Sequence, residues 1–215
     1  PPALRAMQEL GYDADECLAG TGLTQADLAN PALETDFSLA QEYRFHRNLL
    51  ALTGDPQLGL RLGKAYKVES YGLLGYAFMS APTLRHALIL IRNYGPLSFT
   101  LFRIDFRVDG AVASLVFHPD RDIPEDLLAF YVDRDLTAAA FGGETALQRL
   151  FPFRQVVLMH NGGDGRALYE EHNRCPVSFA GNYSALVMDP AQLDAPMPQP
   201  HPETSAICQQ QSQML

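Results

Sequence analysis

Apolar side chains in the first ninety-odd residues recur at the three- and four-residue intervals of amphipathic helices. Ser38 and Gln41 have the spacing of a capping box, which predicts a helix that begins after Ser38 and ends near Gly54. A later helix over residues 82–95 carries an apolar stripe wide enough to predict packing on more than one side. The N-terminal part of the chain is therefore expected to be helical.

After Gly95 the spacing of apolar residues changes from the three- and four-residue intervals of a helix to the two-residue alternation of a strand. Between residues 102 and 108, apolar side chains alternate with charged ones, which predicts a half-buried strand with a charged outer face. Asp109-Gly110 is a two-residue hairpin signal, and residues 111–118 return as a second strand.

A long helix is expected from Pro124 to about Arg149, since proline suits the first turn of a helix. The pair Gly142-Gly143 is expected to bend or break this helix. The charged run at residues 133–135 is expected to form a solvated, charge-balanced face, because side chains two residues apart on a helix do not face each other.

The remaining pattern is strand at 154–160, helix at 164–173, and two strands at 175–179 and 184–189 around a turn at Gly181-Asn182. The order after residue 98 is thus ββαβαββ. This order predicts an α+β fold in which a helical N-terminal half packs on one mixed or antiparallel sheet.

One domain is expected over residues 1–195, helical over 1–95 and α+β over 96–195. Prolines recur between residues 196 and 202 and predict a stiff connecting segment of the polyproline type. The last residues, to 215, look like the start of a further helix. Because the chain begins at Pro1 and stops in a polar run, we expect it to be part of a longer protein.

Composition narrows the class of protein. The 215 residues are 47% hydrophobic and 19% charged, with a net charge of −9, which is ordinary for a folded domain. Only two lysines occur and the arginines are scattered, so this segment is not expected to bind nucleic acid itself. No run of about 20 apolar residues predicts a membrane span. Three widely spaced cysteines favour neither a disulfide framework nor a zinc site, and they fit a cytoplasmic setting.

The segment "HNGGDGRALYEEH", residues 160–172, has the residue types of an active site. The sequence nevertheless contains no GxSxG nucleophile motif, no P-loop lysine and no HExxH metal spacing. The simpler interpretation is a turn made by Gly162 and Gly163, with Asp164 as the N-cap of the next helix. We therefore expect no catalytic residue, no metal and no cofactor.

Aromatic residues cluster near the junction of the helical half and the sheet, where a largely apolar pocket is most often found. Arg92 and Tyr94 end one helix there and could hold a carboxylate or phosphate, although an arginine facing solvent is the alternative. The candidate ligand-binding residues are Tyr71, Tyr76, Arg92, Tyr94, Phe102, His118 and Tyr131.

Several stretches resemble one protein family: "TGLTQADLANP", "TGDPQLGLRLG", "SYGLLGYAFMSAPTLRHAL" and "CPVSFAGNYSALVMD". They are similar, in order and spacing over about residues 5 to 205, to the N-terminal domain of AraC/XylS-type bacterial transcription regulators with an "arabinose-binding-like" effector domain. The block "YGLLGYAFMSAPTLRHAL" is the most specific of them. Where such relatives usually have a "HPxPxD"-like turn, this chain has "HNGGDGR".

The resemblance implies a cytoplasmic regulator whose N-terminal domain senses a small molecule. It also implies DNA binding through a C-terminal pair of helix-turn-helix motifs beyond this chain, and a homodimer as a further expectation. An amino-acid-like effector is the first expectation for the ligand. Two alternatives remain open at this point: a small α+β hydrolase or transferase using His160 or His118, and a dimerisation module without a ligand.

Overall fold

The computed structural model describes residues 1–29 and 37–212, and only the backbone of Asp164, Ile207, Gln209 and Ser212. The described α-helices are α1 Pro2–Glu9, α2 Ala14–Leu18, α3 Gln25–Ala29, α4 Leu39–Thr53, α5 Leu58–Leu62, α6 Gly72–Met79, α7 Leu84–Tyr94, α8 Glu125–Leu147, α9 Arg166–Asn173 and α10 Pro202–Ser212. The strands are β1 Phe102–Asp109, β2 Val112–Pro119, β3 Gln155–Val157, β4 Val177–Ser178 and β5 Ser184–Met188. Residues 213–215 of the predicted last helix lie outside the described residues.

The five strands form one mixed sheet in the order β1-β2-β5-β3-β4. All neighbouring strands run antiparallel except β3 and β4, which are parallel. The α+β architecture and the order ββαβαββ are therefore confirmed. β4 and β5 do not form a hairpin around Gly181-Asn182, because they lie on opposite sides of β3.

The hairpin of β1 and β2 is present as predicted, but its two turn residues are Gly110 and Ala111, one position later than the predicted Asp109-Gly110. The strands pair from Phe102 opposite Pro119 to Asp109 opposite Val112, and Gly110 has the left-handed φ of 54° that this tight turn requires. Alternation buries Phe102 and Phe106, whereas Val108 near the turn is 45% exposed. The helices cover the inner face of the sheet, and α7 packs directly on β1.

The helix-terminal signals of α4 are present as the sequence predicts. The Ser38 hydroxyl accepts a hydrogen bond from the Gln41 backbone N–H, and the Gln41 side chain accepts one from the Ser38 N–H. Gly54 ends the helix with a left-handed φ of 61°. Local chemistry alone therefore sets both ends of this helix.

Helix α8 runs through the centre of the molecule, and two predictions about it are wrong. It continues past Gly142-Gly143 to Leu147 without a break. Asp133, Arg134 and Asp135 are 1%, 1% and 7% exposed, so they do not form a solvated face. The reason is tertiary, because other parts of the fold cover α8 on opposite sides.

One of these covering elements is α5 with the 3-10 turn Gly63–Ala65, which packs closely against α8. Gly59 and Gly63 are four residues apart and face α8. A Cβ atom on Gly59 would lie 2.5 Å from the Phe130 carbonyl oxygen, and one on Gly63 would lie 2.5 Å from the Thr137 Cβ. The two glycines therefore permit an approach of backbone to backbone that any larger residue would prevent.

Candidate functional site

A cavity of about 110 Å³ lies between α6, α7, α8 and the inner face of the sheet. Its walls come from helices of the N-terminal half and from the sheet: Leu74 and Phe78 on α6, Leu88 on α7, Phe117 on β2 and Leu186 on β5. Most of the lining is aliphatic or aromatic. An apolar cavity with a few polar groups is the usual form of a small-molecule site.

One face of α8 forms the long wall of the cavity. The lining residues on this helix are Asp135, Ala138, Ala139, Gly142, Gly143 and Leu147. Their spacing places them on one side of the helix over about 18 Å, at 1.5 Å per residue. Small side chains in the middle of this stretch leave room for the cavity, and Gly143 has no heavy atom within 4 Å of where its Cβ would stand.

The polar end of the cavity is built around Asp135. Its Oδ2 accepts a hydrogen bond of 2.6 Å from the Thr100 hydroxyl, and its Oδ1 accepts one of 2.6 Å from the Arg134 Nε. The Arg134 Nη2 also donates to the Phe99 carbonyl oxygen at 2.9 Å. Asp135 is therefore held rigidly while it lines the cavity.

Arg134 points away from the cavity into a buried cluster. Its guanidinium lies 3.5 Å from the Glu42 Oε1 and packs over the rings of Tyr66 and Tyr131, at 5.2 and 4.7 Å from their centroids. Burial raises the pKa of the Glu42 carboxyl above its usual range, with Arg134 opposing this shift. The cluster links α4, α8 and the segment that precedes β1.

Tyr71 is the one predicted ligand-binding residue that lines the described cavity. Its ring packs against Phe99, with centroids 5.4 Å apart. Burial, together with the nearby Asp135 carboxylate, raises the pKa of the Tyr71 hydroxyl above its ordinary value. The hydroxyl has no hydrogen-bond partner among the residues that the structure describes, so it is available to a ligand.

The other predicted ligand-binding residues are not brought together around this cavity. Tyr76 is 55% exposed, and Arg92 is exposed with its Nε donating to the Asn93 side chain. Tyr94 is half-buried against the core. Phe102 is buried, with its ring edge-on to Phe117.

His118 and Tyr131 also lie elsewhere. His118 is on the outer side of the sheet, with its Nε2 3.3 Å from Arg107. The Tyr131 hydroxyl is 2.9 Å from the Nδ1 of His46 in the helical core. The ring nitrogen Nε2 of His46 is buried without a hydrogen-bond partner among the described residues.

His160 belongs to a buried polar cluster under the glycine turn. Its Nε2 lies 2.9 Å from the Asp133 Oδ1, and its Nδ1 accepts a hydrogen bond of 3.1 Å from the Gly162 N–H. The Tyr169 hydroxyl donates to the other Asp133 oxygen at 2.8 Å. Both ring nitrogens of His160 are therefore occupied, which leaves neither free to take a proton from a substrate.

The turn itself is shaped by packing. Gly162 has a φ of 75°, and a Cβ atom there would lie 2.3 Å from the Phe179 ring. The N-cap position of α9 is Gly165, one residue after the predicted Asp164, whose side chain lies outside the described part of the structure. The segment thus joins β3 to α9 and supports the Asp133 cluster.

Sequence reasoning missed Asp135 and Thr100 as cavity residues. The available signal was the surroundings of the charged run, "LLAFYVDRDLTAAAFGG", which is apolar on all sides of the helix. A helix of that kind is usually buried all round, and its few charges then face partners or cavities. The hydrogen bond between Thr100 and Asp135 joins residues 35 apart, which no local pattern indicates.

The described residues contain no group of three or more His, Cys, Asp or Glu side chains placed to hold a metal ion. Among them no helix combines the length and apolar composition needed to cross a bilayer.

The family described as the arabinose-binding domain of AraC transcription regulators, N-terminal, matches residues 11–197. An uncharacterized HTH-type transcriptional regulator of Mycobacterium tuberculosis is 28% identical over 228 residues, which cover 96% of this chain and 61% of that protein. The ornithine utilization regulator of Pseudomonas aeruginosa is 25% identical over 171 residues, covering 77% of this chain and 48% of the regulator.

A solved structure has the same fold. The transcriptional regulator CdpR from Pseudomonas aeruginosa superposes with a TM-score of 0.65 at 25% sequence identity, over 85% of this chain and 58% of that one. The chain therefore spans about three fifths of the mycobacterial relative and of the solved regulator.

Proposed function

The chain belongs to the family of N-terminal arabinose-binding domains of AraC transcription regulators, and from this premise we propose that it is a cytoplasmic effector-sensing domain. A small metabolite binds in this cavity and controls a DNA-binding half that lies outside residues 1–215. The observation that carries the proposal is the cavity itself, which has an apolar wall and one polar end at Asp135. The presence of a cavity beside Tyr71 favours this function over a dimerisation module without a ligand.

We propose that residues 1–195 bind the effector and that the segment after residue 195 transmits the effect of binding. That segment is tied to the loop between α6 and α7: the Met197 N–H donates to the Pro82 carbonyl and the His201 N–H to the Ser80 carbonyl. Further on, α10 packs along α6, where the Ser205 hydroxyl donates to the Ala77 carbonyl.

Helix α6 is the element that connects the two functions. Leu74, Gly75 and Phe78 of this helix line the cavity, while α10 packs on the same helix. We propose that α6 has two arrangements, each with its own position of α10. A ligand that contacts Leu74 or Phe78 and binds one arrangement more tightly than the other therefore shifts the position of α10. Effector binding would thereby bias the orientation of whatever follows α10.

An amino-acid-like effector is the first proposal for the ligand class. One relative is named an ornithine utilization regulator, and ornithine is an amino acid. The cavity suits the amine of such a compound, since Asp135 can accept its hydrogen bonds. Its carboxylate would find no lysine, arginine or histidine among the described lining residues.

A ligand screen tests the proposed function. Amino acids, polyamines and fatty acids are added to the protein and unfolding is followed, since a ligand at 100 times its Kd adds about 2.7 kcal/mol of stability. The substitution Gly143→Leu, which fills the cavity, should abolish this gain. The matched control Ala167→Leu adds bulk on the exposed face of α9 and should preserve it.

Two results would overturn the proposal. One is that none of these compounds stabilises the unaltered protein. The other is that a stabilising compound acts equally well on Gly143→Leu, which would place its binding site outside the cavity.

A further inference from the structure

We infer that the cavity selects ligands with a cationic amine head on an apolar body, and that Asp135 is the residue that makes this selection. The inference rests on the proposed function, because it names the chemical class of the molecule that the same cavity takes. It assigns the amine to the end formed by Asp135 and Tyr71, and the apolar body to the wall that leads to Leu147.

The first argument is the charge of the lining. Asp135 carries the one acidic side chain among the described residues around the cavity, and no basic side chain lies among them. The carboxylate is 7% exposed, so water screens it poorly. A neutral head group would give Asp135 no charge partner in addition to Arg134, and a carboxylate head would be repelled by Asp135.

The second argument is the balance of positive and negative charges in the buried cluster around Arg134. The Arg134 guanidinium is within salt-bridge distance of two carboxylates, those of Asp135 at 2.6 Å and Glu42 at 3.5 Å. Within salt-bridge distance, one guanidinium therefore pairs with both carboxyl groups, and Arg121 adds a more distant positive charge near Glu42. An amine in the cavity would supply a second positive charge beside Asp135, where buried charges require pairing.

The third argument is the remaining hydrogen-bonding capacity. Each oxygen of Asp135 accepts one described hydrogen bond, from Thr100 or from Arg134, and a carboxylate oxygen has two lone pairs. An ammonium group, with three donors, can use the free lone pairs and also the Tyr71 hydroxyl oxygen. Beyond these groups the α8 wall from Ala138 to Leu147 is apolar, so the rest of the molecule is expected to be hydrocarbon.

Three probes of matched length test the inference: n-octylamine, 1-octanol and octanoate, each titrated into the protein by calorimetry. We expect n-octylamine to bind about ten-fold or more tightly than either of the others, the effect of one charged hydrogen bond. Asp135→Asn should remove this preference. Glu125→Gln, which deletes a charge from the exposed first turn of the same helix, should keep it.

The outcomes separate the inference from the proposed function. If 1-octanol or octanoate binds as tightly as n-octylamine, and Gly143→Leu abolishes the binding, the cavity senses ligands but Asp135 does not select amines. If none of the three probes binds, or binding survives Gly143→Leu, the inference is overturned, whereas the proposed function is decided separately by the screen of amino acids, polyamines and fatty acids. A preference for n-octylamine that survives in Asp135→Asn would overturn the assignment of the selection to Asp135. If Asp135→Asn does not fold, the comparison on the unaltered protein still decides whether the cavity prefers amines.

Discussion

Adding one methyl group at Gly59 is expected to destabilise the protein, although helix propensity alone favours the change. Gly59 lies inside α5, where alanine is preferred over glycine by about 0.5–1 kcal/mol. In the folded protein, however, the new Cβ would lie 2.5 Å from the Phe130 carbonyl oxygen and 2.8 Å from the Asp133 Cβ. These atoms belong to the backbone and first side-chain carbon of a buried helix, so they cannot rotate away.

Helix α5 must therefore move away from α8, and overpacking of this kind costs about 1–3 kcal/mol. After the gain in helix propensity is subtracted, Gly59→Ala should lower the free energy of unfolding by about 1 kcal/mol, near the middle of a range of about 0–2.5 kcal/mol. The matched control is Gly143→Ala in α8, where no heavy atom lies within 4 Å of the added Cβ. That substitution should raise the stability by about 0.5–1 kcal/mol.

Urea denaturation measures both effects as shifts of the midpoint at constant slope. Changes of opposite sign in the free energy of unfolding for the two substitutions would support the close packing of α5 on α8. Equal stabilisation by both would refute it, because helix propensity would then act without a steric penalty at Gly59. The burial of the charged run at residues 133–135 would then need another explanation.

Two further predictions concern buried polar groups. Burial, with Arg134 adding to it, holds the pKa of His46 well below its ordinary value of 6.5, so the unfolded chain binds a proton that the native state does not. Stability should therefore fall as the pH drops below about 6.5, by up to about 1.4 kcal/mol per pH unit, and denaturation at several pH values should show a smaller slope for His46→Gln. Asp133→Ala would leave the His160 ring and the Tyr169 hydroxyl buried without their shared acceptor, at a cost of about 2–4 kcal/mol in the same assay. A loss below about 0.5 kcal/mol would mean that this cluster is not buried in solution.

Local patterns were sufficient for much of the fold. The alternation from residue 102 to 108 and the Asp109-Gly110 signal predicted the hairpin, because both depend on neighbours in sequence, although the turn itself lies one residue later, at Gly110-Ala111. The Ser38–Gln41 capping box and Gly54 predicted both ends of α4 for the same reason. The blocks that resemble AraC-type effector domains predicted the family, which matches residues 11–197.

The candidate site depended on information that no local pattern carries. Tyr71 was predicted for the right region, but Asp135 was expected in solvent, since a charged run normally marks an exposed helix face. Its burial follows from the packing of α5 on one side of α8 and of the cavity and sheet on the other.

The segment "HNGGDGR" shows the same division between local and tertiary information. The sequence by itself determined that glycines turn the chain there, because their backbone adopts left-handed φ values without strain. Only the tertiary structure decided the role of His160, by bringing Asp133 from α8 to within 2.9 Å of its ring. Periodicity reports which face of an element is apolar, whereas the partners of a buried charge depend on contacts between residues distant in sequence. The sequence alone therefore specified the elements, and the packing around α8 specified the cavity and placed Asp135 as the acidic group among its described lining residues.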